Sequence, residues 1–420
     1  MPYRFTVEDV AFLRSPAGEQ ALDAVARLAL TPASMLADVA DVRRHHPDHD
    51  AALIETVRCR RRAAGRLRNP QRLLASDDAV QQATASVVAA HRAADLAARH
   101  PGAVVHDVTC SIGAELVELA AAPGLGGVIG SDLDRVRLAM ARHNTADPDI
   151  VAGAPPTLLV ADALTPTSTA DVVVADPARR TGGSRVFRLD QLTPPLPDVL
   201  TAYAGRPLVV KCAPGLDYRQ LREQFGVVGE VHVTSLDSGV REACLWVGPG
   251  IGDGQRATVL RTTPDGSVWA EEITSAEPDD VGAAGDPGRW LIDPDGAVVR
   301  AGLVRHYAHR HHLWQLDPQI AYLTGDEIPL GARGFRILER LDSTGDKVLR
   351  KSVAAHDGGS LEILVRGLDV DPDALRKRLK PKGSRQLALV LTRIGRKGVA
   401  FVCEAGIRND RFDGTAPQTD

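Results

Sequence analysis

From residue 103 onward, short apolar runs alternate with stretches in which apolar side chains recur every three to four residues. The runs consist largely of Val, Leu and Ile without polar alternation, so we expect strands that helices cover on both faces. Strands alternating with helices are typical of a mostly parallel, doubly wound α/β sheet. We predict seven strands, at residues 103–108, 127–132, 157–162, 171–176, 207–211, 230–235 and 242–247, and helices at 114–122 and 134–143.

The first hundred residues carry a different, helical pattern. Thr6, Ser15 and Thr31 each place a hydroxyl ahead of a run with helical apolar spacing, as the N-cap of a helix requires. Almost no strand-like alternation interrupts these runs. We therefore predict a small helical domain, with helices at 31–46, 48–64 and 76–100 among its elements.

The residues after the sheet mix both patterns. A segment rich in Gly, Pro and Asp, with one alternating stretch near Thr258, indicates a hairpin and a linker. Strand-like runs at 335–341, 361–365, 387–392 and 399–403 then accompany helical runs at 297–314 and 374–379, which predicts an α+β unit. The predicted domains are helical at 1–100, Rossmann-like α/β at 101–250, hairpin and linker at 251–288, and α+β at 289–410, with a disordered tail at 411–420.

Composition places the chain among soluble globular proteins. With 44% hydrophobic residues in 420, no apolar run approaches the roughly 20 residues that span a bilayer. The start lacks the layout of a signal peptide, so we expect a cytoplasmic protein without a membrane partner. The five cysteines are scattered and form no Cys-x-x-Cys pair, and we expect neither a disulfide framework nor a metal site.

Candidate ligand-binding residues follow from the strand ends. In an open α/β sheet, ligands bind at the carboxyl ends of the strands. The first strand ends in Asp107 before a turn with Gly113, the second in Asp132 and the third in Asp162. Asp132 can accept hydrogen bonds from ribose hydroxyls, and Asp162 can accept one from an adenine amine. Three acids at three consecutive strand ends predict a nucleoside site.

A dinucleotide site is the obvious competitor. Its fingerprint, G-x-G-x-x-G, opens the first helix and places a pyrophosphate on the helix N-terminus. Here the turn offers only Gly113, and Asp107 would repel a pyrophosphate. The same carboxylate favours the cationic, phosphate-free end of S-adenosylmethionine. We therefore expect S-adenosylmethionine as the cofactor.

The fourth predicted strand ends in Asp176-Pro-Ala-Arg-Arg180, which resembles the class I methyltransferases. In amino-directed members, an Asp-Pro-Pro or Asn-Pro-Pro motif followed by an aromatic orients an exocyclic amine at the methyl group. The resemblance implies that Asp176 and Pro177 form the catalytic corner. Ala178 and Arg179 stand where the second proline and the aromatic would be. Base stacking or phosphate contact then falls to Arg179 and Arg180.

The whole chain resembles a bacterial family of class I methyltransferases with a THUMP-like C-terminal domain. The likeness covers most of 76–405 and rests on four motifs, at 107–113, 176–180, 211–217 and 314–323. It implies a seven-stranded class I sheet, an α+β THUMP-like domain and RNA binding by the C-terminus. Further candidates are Gln82, Thr84 and Cys110 for the cofactor, and Lys211 for the substrate side.

The net charge of −4 does not by itself indicate nucleic acid, but basic residues crowd two segments. Such segments can bind phosphates, although a charge run is more often a solvated helix face. The candidates for RNA contact are Arg60, Arg61 and Arg62 in the first segment and Arg376, Lys377 and Arg378 in the second. A cluster of His and aromatic residues at 307–314 fits helix packing or RNA stacking better than a metal site.

The sequence thus predicts methyl transfer from S-adenosylmethionine to an exocyclic base amine, guanine N2 or adenine N6, in structured RNA. Two alternatives stay open. The chain could methylate a small molecule or a protein, in which case the basic segments are dispensable. It could also be an RNA- or ribosome-binding factor that has lost activity, in which case Asp176 is dispensable.

Overall fold

A computed structural model of the full chain describes residues 3–147, 154–179, 192–212, 222–223, 226–282 and 284–412. It forms two compact units. The first consists of residues 1–230 and 241–253, and the second of 231–240 and 254–420. None of the helices in the described ranges combines the length and the apolar character needed to cross a membrane.

The first unit begins with six helices, as the apolar spacing predicts. Thr6 caps α1 through a reciprocal pair of hydrogen bonds with Asp9, and the Ser15 side chain caps α2 by accepting from the Gly18 amide at 3.1 Å. At the third predicted start, Ser34 is the N-cap residue instead of Thr31. The helices are α1 Val7–Leu13, α2 Pro16–Ala26, α3 Met35–His45, α4 Asp50–Ala63, α5 Asp77–Gln82 and α6 Ser86–Arg99.

The predicted doubly wound sheet follows. Its strands are β1 Val104–Asp107, β2 Gly127–Asp132, β3 Thr157–Val160, β4 Val172–Ala175, β7 Leu208–Cys212, β8 Gly229–Leu236 and β9 Gly239–Val247, and α7 Ala114–Ala121, α8 Arg135–Asn144 and α9 Leu196–Ala202 lie between strands. A two-residue pair, β5 Ala178–Arg179 with β6 Leu192–Thr193, stands apart. These seven strands follow the order β3-β2-β1-β4-β7-β9-β8, and two more strands, β10 Gly254–Thr262 and β11 Val268–Thr274, continue the same sheet beyond β8. The first five strands are parallel, and β9 is antiparallel to β7.

Burial explains why the central strands read as continuous apolar runs. Val105, Val174 and Val209 on three adjacent strands are at most 1% exposed. They belong to one core cluster with Leu96 of α6 and Leu116 of α7, so helices contribute to the core around the sheet. The order of the strands reverses direction at β1 and β4, and the ends of these two strands meet there, as a ligand site in a doubly wound sheet requires.

The second unit contains the hairpin of β10 Gly254–Thr262 and β11 Val268–Thr274 and a larger mixed sheet. The sheet order is β13-β14-β12-β15-β18-β17-β16, with β19 also paired to β15. Its strands are β12 Trp290–Asp293, β13 Trp314–Gln315, β14 Leu323–Gly325, β15 Arg333–Leu341, β16 Gly358–Arg366, β17 Arg385–Ile394, β18 Lys397–Glu404 and β19 Ile407–Arg408. The helices are α10 Gly296–Arg300, α11 Val304–Arg310, α12 Asp346–Ala355 and α13 Pro372–Leu379.

Two predicted helices are broken in the structure. Within the predicted helix at 76–100, α5 ends at Gln82 and α6 begins at Ser86. Arg66 occupies the break, where its guanidinium donates to the carbonyls of Gln81 and Ala83. The run at 297–314 splits into α10 and α11 around Gly302, whose φ of +75° ends a helix.

A buried ion-pair group fixes α6 and α7 against β9. Arg92 of α6 is 2% exposed and donates to both oxygens of Glu115 of α7, at 2.6–2.9 Å, and to Glu242 of β9. Removing one member of a buried pair leaves an uncompensated charge, whereas an exposed pair contributes little. This group is therefore a strong constraint on the first unit.

We predict that Arg92→Met lowers the free energy of unfolding of the first unit by about 3–5 kcal/mol, because two buried carboxylates lose their partner. Equilibrium unfolding in urea, with hydrogen exchange of α6 and β9 as the probe, measures this loss. The matched control is Arg43→Met, which removes an exposed guanidinium 2.8 Å from Asp50 and should cost at most about 1 kcal/mol. Equal effects of the two substitutions would contradict the prediction.

Candidate functional site

The end of β1 leads into a loop that brings backbone amides around a buried carboxylate. Asp107 is 3% exposed and accepts a hydrogen bond from the Thr109 amide at 2.9 Å. Ser111 and Gly113 have φ values of +50° and +78°, and Gly113 is the N-cap residue of α7. A Cβ on Gly113 would also lie 3.0 Å from the Cβ of Ala141, so both conformation and space require glycine.

The end of β2 lies beside this loop. The Asp132 carboxylate accepts from the Ser111 amide at 3.1 Å and from the Asp134 amide at 2.8 Å, so it is fixed between the two loops. The next side chain, Leu133, is 66% exposed. An exposed leucine beside a fixed carboxylate offers an apolar surface to a flat ligand. At the end of β3, the exposed Asp162 accepts from the Leu164 amide at 2.8 Å.

The end of β4 is tied to the loop after β1. The Asp176 amide donates to Thr109 Oγ1 at 2.6 Å, and Thr109 in turn holds Asp107. The Asp176 side chain is 44% exposed, and its Oδ2 contacts Lys211 Nζ of β7. Pro177 is buried next to it. The two strand ends that the sequence marks as cofactor and catalytic positions therefore adjoin one another.

The side chain of Lys211, which is assigned to the substrate side from the sequence, is buried in the structure. It is 9% exposed, its ammonium pairs with Asp176, and it lies 4.0 Å from Glu115, which also binds Arg92. Burial alone would lower the pKa of this amine, but Asp176 and Glu115 raise it above its usual value. Lys211 is thus paired with Asp176, and its assignment to the substrate side stays a prediction.

The remaining cofactor candidates lie around these loops. Gln82 is exposed at the end of α5, and Thr84 is half-buried in the break before α6. Cys110 is buried, and its Sγ would lie 3.1 Å from a Cβ on Gly130, so its side chain packs beneath the loop. Arg179 belongs to β5, and Arg180 lies outside the described residues.

The basic segment of α4 is largely used by internal contacts. Arg60 Nε donates to the Leu73 carbonyl at 3.1 Å, and Arg62 pairs with Asp77. Arg61 donates to the carbonyls at 26, 28 and 29, where it satisfies the end of α2. These contacts give the three arginines roles within the fold.

The basic segment of α13 is only partly used in this way. Arg376 donates to the Leu361 carbonyl at 3.0 Å, and Arg378 lies 2.7 Å from Asp346. Lys377, Lys380 and Lys382 are exposed, and within the described residues they have no ion pair. Three uncompensated ammonium groups therefore face solvent around the end of α13.

Comparison with known proteins identifies the chain. A Mycobacterium tuberculosis protein, named an uncharacterized S-adenosylmethionine-dependent methyltransferase in strains H37Rv and CDC 1551, is 48% identical over 377 residues. The alignment covers 86% of this chain and 99% of that protein. The chain belongs to the S-adenosylmethionine-dependent methyltransferases. The predicted enzyme class and cofactor are thereby confirmed.

Two further comparisons support the architecture of the methyltransferase. A Porphyromonas gingivalis W83 protein, whose crystal structure is described as a methyltransferase, matches with a TM-score of 0.73 over 94% of this chain and 98% of its own, at 19% identity, which shows the fold alone. A family model described as "THUMP domain-like" matches residues 332–405, and a domain of unknown function matches residues 6–63. The expected class I fold and THUMP-like C-terminus are confirmed.

The geometry of the strand ends fits S-adenosylmethionine. Asp132 and Asp162 could accept hydrogen bonds from ribose and adenine groups, the exposed Leu133 could cover one face of the base, and Asp107 could attract the cationic end. When bound, the cofactor supplies an activated methyl group. The protein's part is to orient the acceptor against it, and no strong general base is needed.

Some residues of this site were missed by sequence reasoning. Thr109 connects the two carboxylates, and Leu133 provides exposed apolar surface, but neither residue type stands out in the sequence. The signal for Leu133 was present, since it is apolar and directly follows a strand-end acid. Arg92 and Glu115 could not be paired from the sequence, because they lie 23 residues apart on separate helices.

We expect Asp107 to make cofactor binding depend on pH. Burial raises the pKa of its carboxyl from 3.8 to about 7, and the negative charges of Glu115 and Asp176 add to this effect. A cationic ligand favours the ionised form. We predict that the affinity for S-adenosylmethionine rises roughly tenfold from about pH 5.5 to about pH 7, with proton release on binding.

Calorimetric titration in buffers of different ionisation enthalpy measures both effects. Asp107→Asn cannot ionise, so its affinity should be weaker and nearly independent of pH in this window. The same raised pKa means that the ligand-free fold binds this proton more tightly than the unfolded chain, so its stability should fall from about pH 4 to pH 7. An equally steep pH dependence of affinity in Asp107→Asn would rule out this carboxyl as the cause.

Proposed function

We propose that this methyltransferase methylates an exocyclic base amine, guanine N2 or adenine N6, in structured RNA in the cytoplasm. The observation that carries the proposal is the set of contacts that the Asp176 carboxylate makes. Lys211 contacts its Oδ2, the backbone amide is held by Thr109, and no described residue donates to Oδ1. A fixed, partly exposed oxygen with a free lone pair is what an amine N–H needs as an acceptor.

The chemistry of amine transfer agrees with this arrangement. The acceptor nitrogen must present its lone pair to the methyl group, and a hydrogen bond from its N–H to Asp176 would fix that direction. The carboxylate need not take the proton in the transition step. Because Ala178 and Arg179 stand where a second proline and an aromatic platform would be, we assign stacking or phosphate contact to Arg179 and Arg180, whose guanidinium groups suit both.

The C-terminal unit supports RNA over a small substrate. Its THUMP-like region spans 332–405, and Lys377, Lys380 and Lys382 lie within it with their charges uncompensated. Phosphates are the usual partners of such charges in RNA recognition. In this proposal the N-terminal helices and the THUMP-like domain bind the RNA, while the strand ends of the sheet perform the transfer.

We predict that Asp176→Ala lowers the rate of methyl transfer by roughly 100-fold or more, because the amine loses its positioning acceptor. The measurement is tritium transfer from labelled S-adenosylmethionine to total RNA from a strain deleted for the gene, with wild-type RNA as the already modified control. Asp176→Asn retains an acceptor oxygen and should keep more activity than the alanine variant. Cofactor binding should persist in both variants.

Each other outcome points to one of the alternatives. If the cofactor binds but no RNA becomes labelled, the result indicates that the substrate is a small molecule or a protein. Absence of cofactor binding in the wild-type chain would indicate an RNA- or ribosome-binding factor that has lost activity. Label that persists in Asp176→Ala would remove this carboxylate from the reaction.

A second prediction concerns RNA affinity. Replacing Lys377, Lys380 and Lys382 by Gln should weaken binding to deletion-strain RNA and lower the slope of log affinity against log salt by about 2–3, since each phosphate contact contributes about 0.7–0.9. The matched control replaces the exposed Lys347 and Lys351 of α12. Filter binding across a salt series measures the slope, and an unchanged slope would show that this segment does not bind RNA.

A further inference from the structure

The second unit contains a cavity of about 310 Å³. Four arginines from four strands line it: Arg261 of β10, Arg333 of β15, Arg366 of β16 and Arg408 of β19. The volume is in the range of small-ligand sites. Four guanidinium groups so close together need anionic partners to compensate their charges.

The acids that line the cavity already have cationic partners. Three carboxylates are present, and each lies within 2.7 Å of a basic side chain. The pairs are Asp295 with Arg261 at 2.7 Å, Asp293 with Arg366 at 2.6 Å, and Glu271 with His311 at 2.6 Å. The two other arginines, Arg333 and Arg408, are therefore not paired with an acid that lines the cavity.

Of these two, Arg408 supplies the excess positive charge. Arg333 pairs with Glu362, which does not line the cavity, at 2.6 Å. Arg408 donates to two neutral oxygens, the Gly331 carbonyl at 2.9 Å and Ser238 Oγ at 2.6 Å, and the nearest carboxylate, of Asp410, is 3.9 Å away. Burial and the positive charge of Arg261 lower the pKa of Arg408, so an anion here would relieve a real repulsion.

Two buried donors of the lining residues also lack an acceptor. Within the described residues, Arg261 Nε and Trp269 Nε1 make no hydrogen bond, although both atoms are buried and Arg261 is only 4% exposed. Unsatisfied buried donors are rare in folded proteins. An acceptor oxygen would satisfy either donor, but both atoms are closed to solvent, so the lining would have to shift locally before a ligand could reach them.

We propose that this cavity binds a phosphate monoester, with its oxygens toward Arg408 and Arg333 and its organic group against the aromatic rings of Trp269 and Tyr307, which also line it. A phosphate dianion matches the planar guanidinium donors through paired hydrogen bonds. The ligand is of nucleotide size, because the cavity exceeds the volume of a phosphate group. It is either a free nucleotide or the phosphorylated end of an RNA strand.

Uridine 5′-monophosphate is the probe, since it lacks the adenine that the cofactor site would hold. Titration calorimetry on the full chain should show binding of this nucleotide and none of uridine. Arg408→Gln should weaken binding at least about tenfold, because it removes the charge-assisted contacts. Arg336→Gln, which changes an exposed guanidinium on the same strand as Arg333, should leave binding unchanged.

A second variant keeps the proposal testable if Arg408→Gln disturbs β19. Trp269→Phe removes the five-membered ring of the indole together with its N–H, which reduces the aromatic surface of the cavity, and it should weaken binding several-fold. Binding of uridine as tight as that of the nucleotide, or nucleotide affinity unchanged in both variants, would overturn the proposal. Oligoribonucleotides with and without a 5′-phosphate distinguish the sources: preference for the phosphorylated strand over the free nucleotide indicates an RNA end.

This site does not depend on the proposed methylation of RNA. Asp176→Ala should bind uridine 5′-monophosphate as the wild type does, whatever that variant does to methyl transfer. A failure of the cavity proposal and a failure of the RNA substrate are therefore separate results.

Discussion

The contact between Asp176 and Lys211 is the constraint on which the candidate site depends. The lysine is buried, so its charge has to be compensated where it stands, and Asp176 and Glu115 do this. Glu115 in turn needs Arg92, which also binds Glu242. One exposed carboxylate at the end of β4 is thereby coupled to α6, α7, β7 and β9. The position of the catalytic corner is a property of the whole first unit, not of its loop.

The same group of charges explains the character of the cofactor site. Asp107, Glu115, Asp176 and Glu242 face only two buried cations, Arg92 and Lys211. The surplus is negative, and burial prevents water from dispersing it. Asp107 responds with a pKa near neutrality. A ligand that brings positive charge without phosphates removes this conflict, whereas a dinucleotide would increase it.

Local sequence patterns were enough for the fold but only partly for the site. Val105 and Val174 lie in continuous apolar runs in which every residue favours a buried strand, so their strands were predictable. The breaks at Gln82 and Gly302 were not, because each depends on backbone geometry or on a distant guanidinium. The sequence predicted Asp107, Asp132 and Asp176 at strand ends, and the structure places these three strands next to one another. Lys211 was assigned to the substrate side and Arg61 to RNA contact, since a sequence does not show which carboxylate or carbonyl faces each of them.

The excess of negative charge also limits what the site can contribute to the reaction. Carboxylates that attract a cationic methyl donor stabilise it before the transfer as well as during it, so this attraction improves binding more than rate. Methyl transfer would remove the sulfonium charge of a bound donor and leave its ammonium charge, so the same carboxylates would bind the product less tightly than the donor. Acceleration must come from groups that act only on the acceptor. In the proposed mechanism Asp176 Oδ1 would be that group, and the contacts of Asp176 with Thr109 and Lys211 would keep it in place.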